Sequence, residues 1–139
     1  VRVLFDTNVV LDVLMQREPH VDAAAKLFAL VDNGRIEGWV CATTATTIFY
    51  ITAKGFGDRR AREQVRDLLG LFAVAAVDKS VLDSALNTGF SDYEDAVIHE
   101  AARASGATVI VTRDREGFAD SSVPAMSPEE LLAAIAASS

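Results

Sequence analysis

A single cysteine, Cys41, in a chain of 139 residues leaves nothing for an internal disulfide to close and rules out a zinc site built from several thiolates. A chain so poor in thiols is compatible with a reducing compartment. Long apolar runs are missing too. None approaches the roughly 18 to 20 residues that a membrane span needs, and residues 1–5 are too short an apolar stretch for a signal peptide. The expectation is a soluble, unprocessed, cytoplasmic domain with no membrane role. Basic residues are scarce, 13 Lys and Arg against 20 Asp and Glu, for a net charge of −7. That deficit weighs against binding to nucleic acid, which rests on cations neutralising phosphates. Carboxylates gathered around a divalent cation would make a chain acidic for a different reason, and the bound ion would reverse the local field. No glycine-rich phosphate loop follows any apolar run, so a nucleotide-binding fold of that kind is unsupported.

What is present is the balance of a folded globular protein, half apolar and a quarter charged, and the length suits one domain over residues 1–139 with its own core. The apolar run at residues 1–5 predicts a buried strand, and Val9, Val10, Val13 and Leu14 predict a helix that Thr7 and Asn8 can cap. A second helix over 21–31 ends at Asn33-Gly34, and a strand follows at 36–41. Thr43 and Thr44 offer the cap of a third helix, Asp58 that of a fourth with Val65, Leu68, Leu69 and Phe72 on one face. Strands are expected at 72–77 and 108–112, a short helix from Asp78 or Ser80 to Leu86, and a helix capped by Ser91 that runs to Ser105-Gly106. Residues 123–126 suggest a last strand, and Ser127-Pro128-Glu129-Glu130 opens a last helix. Strands alternating with helices imply a parallel sheet covered on both faces, a three-layer α/β architecture.

In such sheets, ligands bind beyond the carboxyl ends of the strands. Asp6 follows the first strand directly and Asp114 follows Val109-Ile110-Val111 by two residues. Asp92 and Asp95 precede that strand, and their spacing places both on one helical face with Glu94 pointing elsewhere. Each aspartate has an ordinary alternative, since Asp6 and Asp92 can cap helices and Asp114 can open a turn. Asp95 has none, because it is expected inside an apolar-faced helix. Carboxylates that converge at one strand edge repel unless a cation or shared protons compensate them. Oxygen ligands in an incomplete ring suit Mg²⁺, and two-metal sites of this kind serve hydrolysis of a phosphodiester.

The segments Phe5-Asp6-Thr7-Asn8-Val9-Val10-Leu11-Asp12-Val13-Leu14, Asp92-Tyr93-Glu94-Asp95-Ala96 and Val111-Thr112-Arg113-Asp114-Arg115-Glu116-Gly117-Phe118 resemble, in order, the three main motifs of PIN domains. The resemblance spans nearly the whole chain. It implies a five-stranded parallel sheet and Mg²⁺- or Mn²⁺-dependent cleavage of RNA, often as a homodimeric toxin of a VapBC-type toxin–antitoxin pair. Asp6, Asp95 and Asp114 match the family's first, third and fourth acidic positions. The second is not matched: residues 43–50 contain no acid, and Thr47 aligns best with that position. Asp92 or Asp12 would restore the charge. Thr7, Asn8 and Thr112 would support the aspartates by hydrogen bonds, as Thr and Asn also do in ordinary turns.

Arg113 and Arg115, flanking Asp114, are placed for phosphate. Lys54 with Arg59, Arg60 and Arg62 forms a basic patch that would hold an RNA backbone or simply face solvent. His99 is expected to hydrogen-bond locally and Trp39 to sit in the core. Ile48-Phe49-Tyr50-Ile51 exposes more apolar surface than one helix face buries, so part of it would meet a second subunit or an antitoxin. A different reading of the missing acid is a PIN fold that has lost catalysis and now binds RNA or a protein. Phosphotransfer domains fit less well. The dehalogenase pattern wants an aspartate where Asn8 stands, and a receiver wants an acidic pair before the first helix and an acceptor after the third strand, where only Asp78 is found.

Overall fold

The computed structural model describes residues 1–138. Five parallel strands form one sheet in the order β3-β2-β1-β4-β5: β1 (Arg2–Phe5), β2 (Glu37–Cys41), β3 (Ala73–Ala75), β4 (Val109–Val111) and β5 (Ala125–Met126). The helices are α1 (Thr7–Leu14), α2 (Val21–Asp32), α3 (Ala42–Phe56), α4 (Asp58–Leu71), α5 (Lys79–Ala85), α6 (Tyr93–Ala104) and α7 (Pro128–Ala137).

β1 is the centre of the sheet, and its alternation sets the three layers. Val3 and Phe5 point into a core shared with α1 to α4 and α7, where Phe5, Phe28 and Phe72 meet edge to face with centroids 5.0–5.6 Å apart. Leu4 points the other way, into a core closed by α5 and α6. The chain winds outward from β1 to β3 and then crosses back to β4 on the far side of β1. The strand order therefore reverses between β1 and β4. Right-handed crossovers in opposite directions put their helices on opposite faces, which accounts for the sandwich.

Several helix starts differ from expectation, each by one or two residues. Asp6, whose ordinary alternative role was capping, caps α1 in place of Thr7 or Asn8. Asp92, open to the same role, caps α6 in place of Ser91 and takes the Asp95 N–H at 3.0 Å. α3 begins straight from the buried, extended Cys41, so Thr43 and Thr44 lie inside its first turn; Thr44 is buried and hydrogen-bonds the Thr7 hydroxyl at 2.8 Å. α4 is entered through Gly57 at φ 92°, and Asp58 sits within the helix, paired with Arg62 at 2.7 Å. β3 is shorter than expected because Phe72 ends α4 and fills the space over Gly38, where a Cβ would lie 2.8 Å from its ring. Leu69, assigned to the apolar face of α4, is exposed, and Trp39 is only half-buried, with the Arg2 guanidinium 4.6 Å over its ring. The start of α7 is as expected: Ser127 and Glu130 form a reciprocal capping box behind Pro128. Among the described residues no helix is long and apolar enough to cross a membrane.

Candidate active site

The reversal of strand order opens a crevice between the ends of β1 and β4, and the acids gather there. Asp6 leaves β1 as the cap of α1, with Oδ1 accepting the Thr7 N–H at 2.8 Å and Oδ2 accepting the Thr112 hydroxyl at 2.7 Å. Thr112 is fully buried just after β4, and its oxygen also accepts the Asp114 N–H at 2.9 Å. One hydroxyl thus ties the Asp6 carboxylate to the backbone of Asp114. Asp114 in turn accepts the Gly117 N–H at 3.0 Å, which closes a tight turn over residues 114–117.

Asp95 arrives from the opposite layer. It occupies the first turn of α6 rather than the middle of a helix, so its charge lies at the favourable end of the helix dipole and has an ordinary structural role there. Asp92 is the cap before that helix; its charge is close enough to act on Asp95, but it does not line the cavity.

Asp6, Asp95 and Asp114 line one cavity of about 240 Å³, together with Thr7, Asn8, Thr43 and Thr47 and an apolar floor of Leu11 and Ile98. Glu94, expected to point away, lines it as well, whereas Asp92 does not. Glu94 and Asp95 both lie in the first turn of α6, the end of the helix that meets the cavity. Thr47 is at the cavity wall, with its hydroxyl donating to the Thr43 carbonyl at 3.0 Å. α3 contributes no carboxylate.

Asp12 does not restore the missing charge. Its carboxylate is wholly buried outside the cavity and faces two cations, Arg113 (Nε to Oδ2 2.6 Å) and Arg17 (4.0 Å), because an inward-facing charge on a core helix is tolerable only when paired. Three of the cations expected to hold RNA are engaged outside the cavity. Arg113 is on Asp12, Arg115 is on Glu130 at 3.1 Å, and Lys54 stacks over the Tyr50 ring at 5.4 Å. His99 lies outside the cavity, between Ser122 and Glu100. Its Nε2 accepts the Ser122 N–H at 3.1 Å, and its Nδ1 meets Glu100 at 2.7 Å.

Electrostatics mark the cavity as strained by like charge. Burial pushes the Asp95 carboxyl up to about 7, helped by repulsion from Asp6, Asp92, Asp114 and Glu94. Burial also raises Asp6, and Asp114 adds to this, while the bonds from Thr112 and Thr7 and the nearby Arg113 oppose it.

Gly117 is the residue that the sequence did not single out. A Cβ there would lie 2.5 Å from Asp114 Oδ2 and 3.0 Å from Asp95 Oδ2, so both carboxylates close over a point that only a glycine leaves free. Its place three residues after Asp114, inside an acidic turn, was the available signal.

Hard oxygen donors, mutual repulsion and a raised carboxyl are the conditions under which a divalent cation is favoured over protons. Among the described residues no group of three or more His, Cys, Asp or Glu side chains is drawn together tightly enough to enclose a metal ion. The hard oxygen donors of Asp6, Asp95 and Asp114 suit an ion that keeps most of its waters and takes one or two carboxylates, as Mg²⁺ does.

No curated protein matches the chain at a significant level. Among solved structures, VapBC2 from Rickettsia felis bound to a promoter DNA fragment superposes with a TM-score of 0.70 at 12% identity, covering 91% of this chain and 98% of that one. A sarcin–ricin loop cleaving toxin, VapC20 of Mycobacterium tuberculosis, gives 0.62 at 14% identity over 78% and 86% of the two chains. PAE2754 from Pyrobaculum aerophilum gives 0.61 at 23% identity over 99% and 90%. These likenesses establish the fold. The family model described as PIN domain matches residues 2–116, which contain every acid of the cavity. The chain belongs to the PIN domain family.

Proposed function

We propose that this protein is a Mg²⁺- or Mn²⁺-dependent endoribonuclease acting as a single cytoplasmic domain, the toxin of a toxin–antitoxin pair. The observation that carries the reading is the convergence of Asp6, Asp95 and Asp114 on one cavity at the switch point of the sheet, with Asp95 raised to about 7 by burial and by its acidic neighbours. Similar folds named as toxins or as toxin–antitoxin complexes support the antitoxin partner and the RNA substrate.

Asp6, Asp95 and Asp114 would hold the cation, with Asp92 acting on Asp95 through its charge and as the cap of α6. The chemistry supplied by a bound divalent cation is a water acidified toward neutrality and a neutralised phosphodiester oxygen. Thr112 fixes one oxygen of Asp6, Thr7 N–H fixes the other, and each oxygen keeps a second lone pair for the ion. Asn8, Thr43 and Thr47 supply neutral polar groups around the substrate. Exposed Arg115 and Lys54 would meet the RNA backbone beyond the cavity, and the exposed Tyr50 on α3 belongs to the face assigned to a second subunit or an antitoxin segment.

A second reading, an RNA- or protein-binding module without catalysis, is favoured by one observation: α3 carries Thr47 where an acid would complete the set. The two readings separate on a mixed single-stranded RNA incubated with purified protein, freed of any bound antitoxin, in Mg²⁺, Mn²⁺ or EDTA, beside an Asp6→Asn/Asp95→Asn variant. Cleavage that needs the metal and is lost in the variant supports the nuclease. RNA retained but uncut by the wild type under both metals supports the binding module.

A further inference from the structure

Asp12 is the one fully buried charged side chain, among the described residues, that the proposed chemistry does not use. It stands four residues after Asn8 on α1, and that spacing puts both on one side of the helix. Both reach the same neighbour. Asn8 Oδ1 accepts the Arg113 N–H at 3.4 Å, and the Asp12 carboxylate takes the Arg113 guanidinium through Nε at 2.6 Å and Nη2 at 3.3 Å. Arg113 lies between Thr112, whose hydroxyl bonds Asp6, and Asp114, which faces Asp95 over Gly117. Neither Asp12 nor Arg113 lines the cavity, so the pair acts on it only through its neighbours.

The turn over residues 112–117 must hold Asp114 against two other carboxylates that repel it. β4 ends at Val111, and no strand pairing fixes the backbone of the residues that follow Thr112. We propose that the Asp12–Arg113 ion pair is a positioning device: it fastens the turn carrying Asp114 to α1, the helix that Asp6 caps, and so sets the distance between the acids. A two-point bond between a planar guanidinium and a carboxylate constrains angle as well as distance, which a lone lysine would not do. The proposal rests on the assignment of Asp6, Asp95 and Asp114 as the cation-holding acids.

The test uses three variants, Asp12→Asn, Arg113→Lys and the apolar double replacement Asp12→Leu/Arg113→Met. The last leaves no buried charge alone and so keeps the fold accessible if the single variants do not fold. Two quantities are read besides RNA cleavage: hydrogen exchange of the amides of residues 113–117, and binding of Mn²⁺ alone. In the double variant the account expects exchange in that turn to quicken at least about tenfold while β1 and α2 keep their protection, and Mn²⁺ binding to weaken about 10- to 100-fold, the usual effect of losing a group that orients a ligand. Cleavage would lose kcat with little change in KM, and Arg113→Lys would fall between wild type and the double variant.

If the double variant folds with wild-type exchange in the turn and wild-type Mn²⁺ affinity, the pair is a structural filler and the proposal is wrong. If the wild type itself binds no Mn²⁺, the reading of the acids fails instead. The exchange measurement then decides the clamp by itself, with unchanged protection overturning it.

Discussion

Removing the charge of Asp95 should make the metal-free protein more stable. A rise in its carboxyl from an ordinary 3.8 to about 7 corresponds to about 4 kcal/mol between the neutral and charged forms in the folded chain. The side chain is only partly buried, and solvent screening reduces the usable part to about 1–2 kcal/mol. The folded chain binds more protons than the unfolded one between about pH 4 and 7, so this group's contribution is fully present at about pH 4 and declines as pH rises toward 7. Asparagine does not titrate. Asp95→Asn should therefore match wild type near pH 4 and exceed it increasingly up to pH 7. Above that it should stay ahead by roughly 3–8 °C in melting temperature for a chain of this size.

Saturating Mn²⁺ reverses the order. An ion at about a hundred times its Kd stabilises a folded protein by about 2.7 kcal/mol, and only the wild type keeps the full set of ligands. Thermal melts at pH 4.5, 6, 7 and 8, each with EDTA and with Mn²⁺, give all the comparisons. The reasoning is refuted if the variant is no more stable than wild type at pH 8 in EDTA, or if Mn²⁺ stabilises both equally.

Gly117→Ala places a methyl 2.5 Å from Asp114 Oδ2 and should weaken Mn²⁺ affinity about 10- to 100-fold while the melting temperature in EDTA changes little, as calorimetric titration would record. Thr47→Glu adds the carboxylate that α3 lacks; the expected outcome is lower stability in EDTA and a higher ratio of Mn²⁺ bound per chain, and an unchanged ratio would count against Thr47 facing the ion. Ser127→Ala removes one half of the capping box of α7 and should cost about 1 kcal/mol in urea unfolding without affecting cleavage, since α7 lies away from the cavity.

The sheet was legible because its signals are local and strong. Residues 3–5 and 109–111 are apolar runs bounded by polar residues, and Asn33-Gly34 and Ser127-Pro128 mark helix ends through backbone constraints that need no partner. The caps were less legible because Asp6, Thr7 and Asn8, like Ser91 and Asp92, are adjacent residues that all favour the same position. Which of them caps depends on where the strand before it is held. Asp92 is the cap, and Glu94 and Asp95 both lie in the first turn of α6 and line the cavity, a tertiary placement that helical spacing alone does not give.

Asp12 and Arg113 were each assigned to the substrate or the metal when read separately, since a pairing across 101 residues has no local signature. Gly117 was invisible for a related reason. Its value lies in the absence of a Cβ between two carboxylates that come from different layers.

Asp6, Asp95 and Asp114 are proposed to hold one divalent cation at the end of β1 and β4. Crystals soaked in Mn²⁺ and measured at a wavelength where manganese scatters anomalously test it most directly. An anomalous peak is expected in the cavity within about 2.0–2.4 Å of at least one oxygen from among these carboxylates, with the others reached directly or through water, and its loss in Asp6→Asn/Asp95→Asn. An empty cavity at millimolar Mn²⁺, or a peak held by other residues, would contradict it.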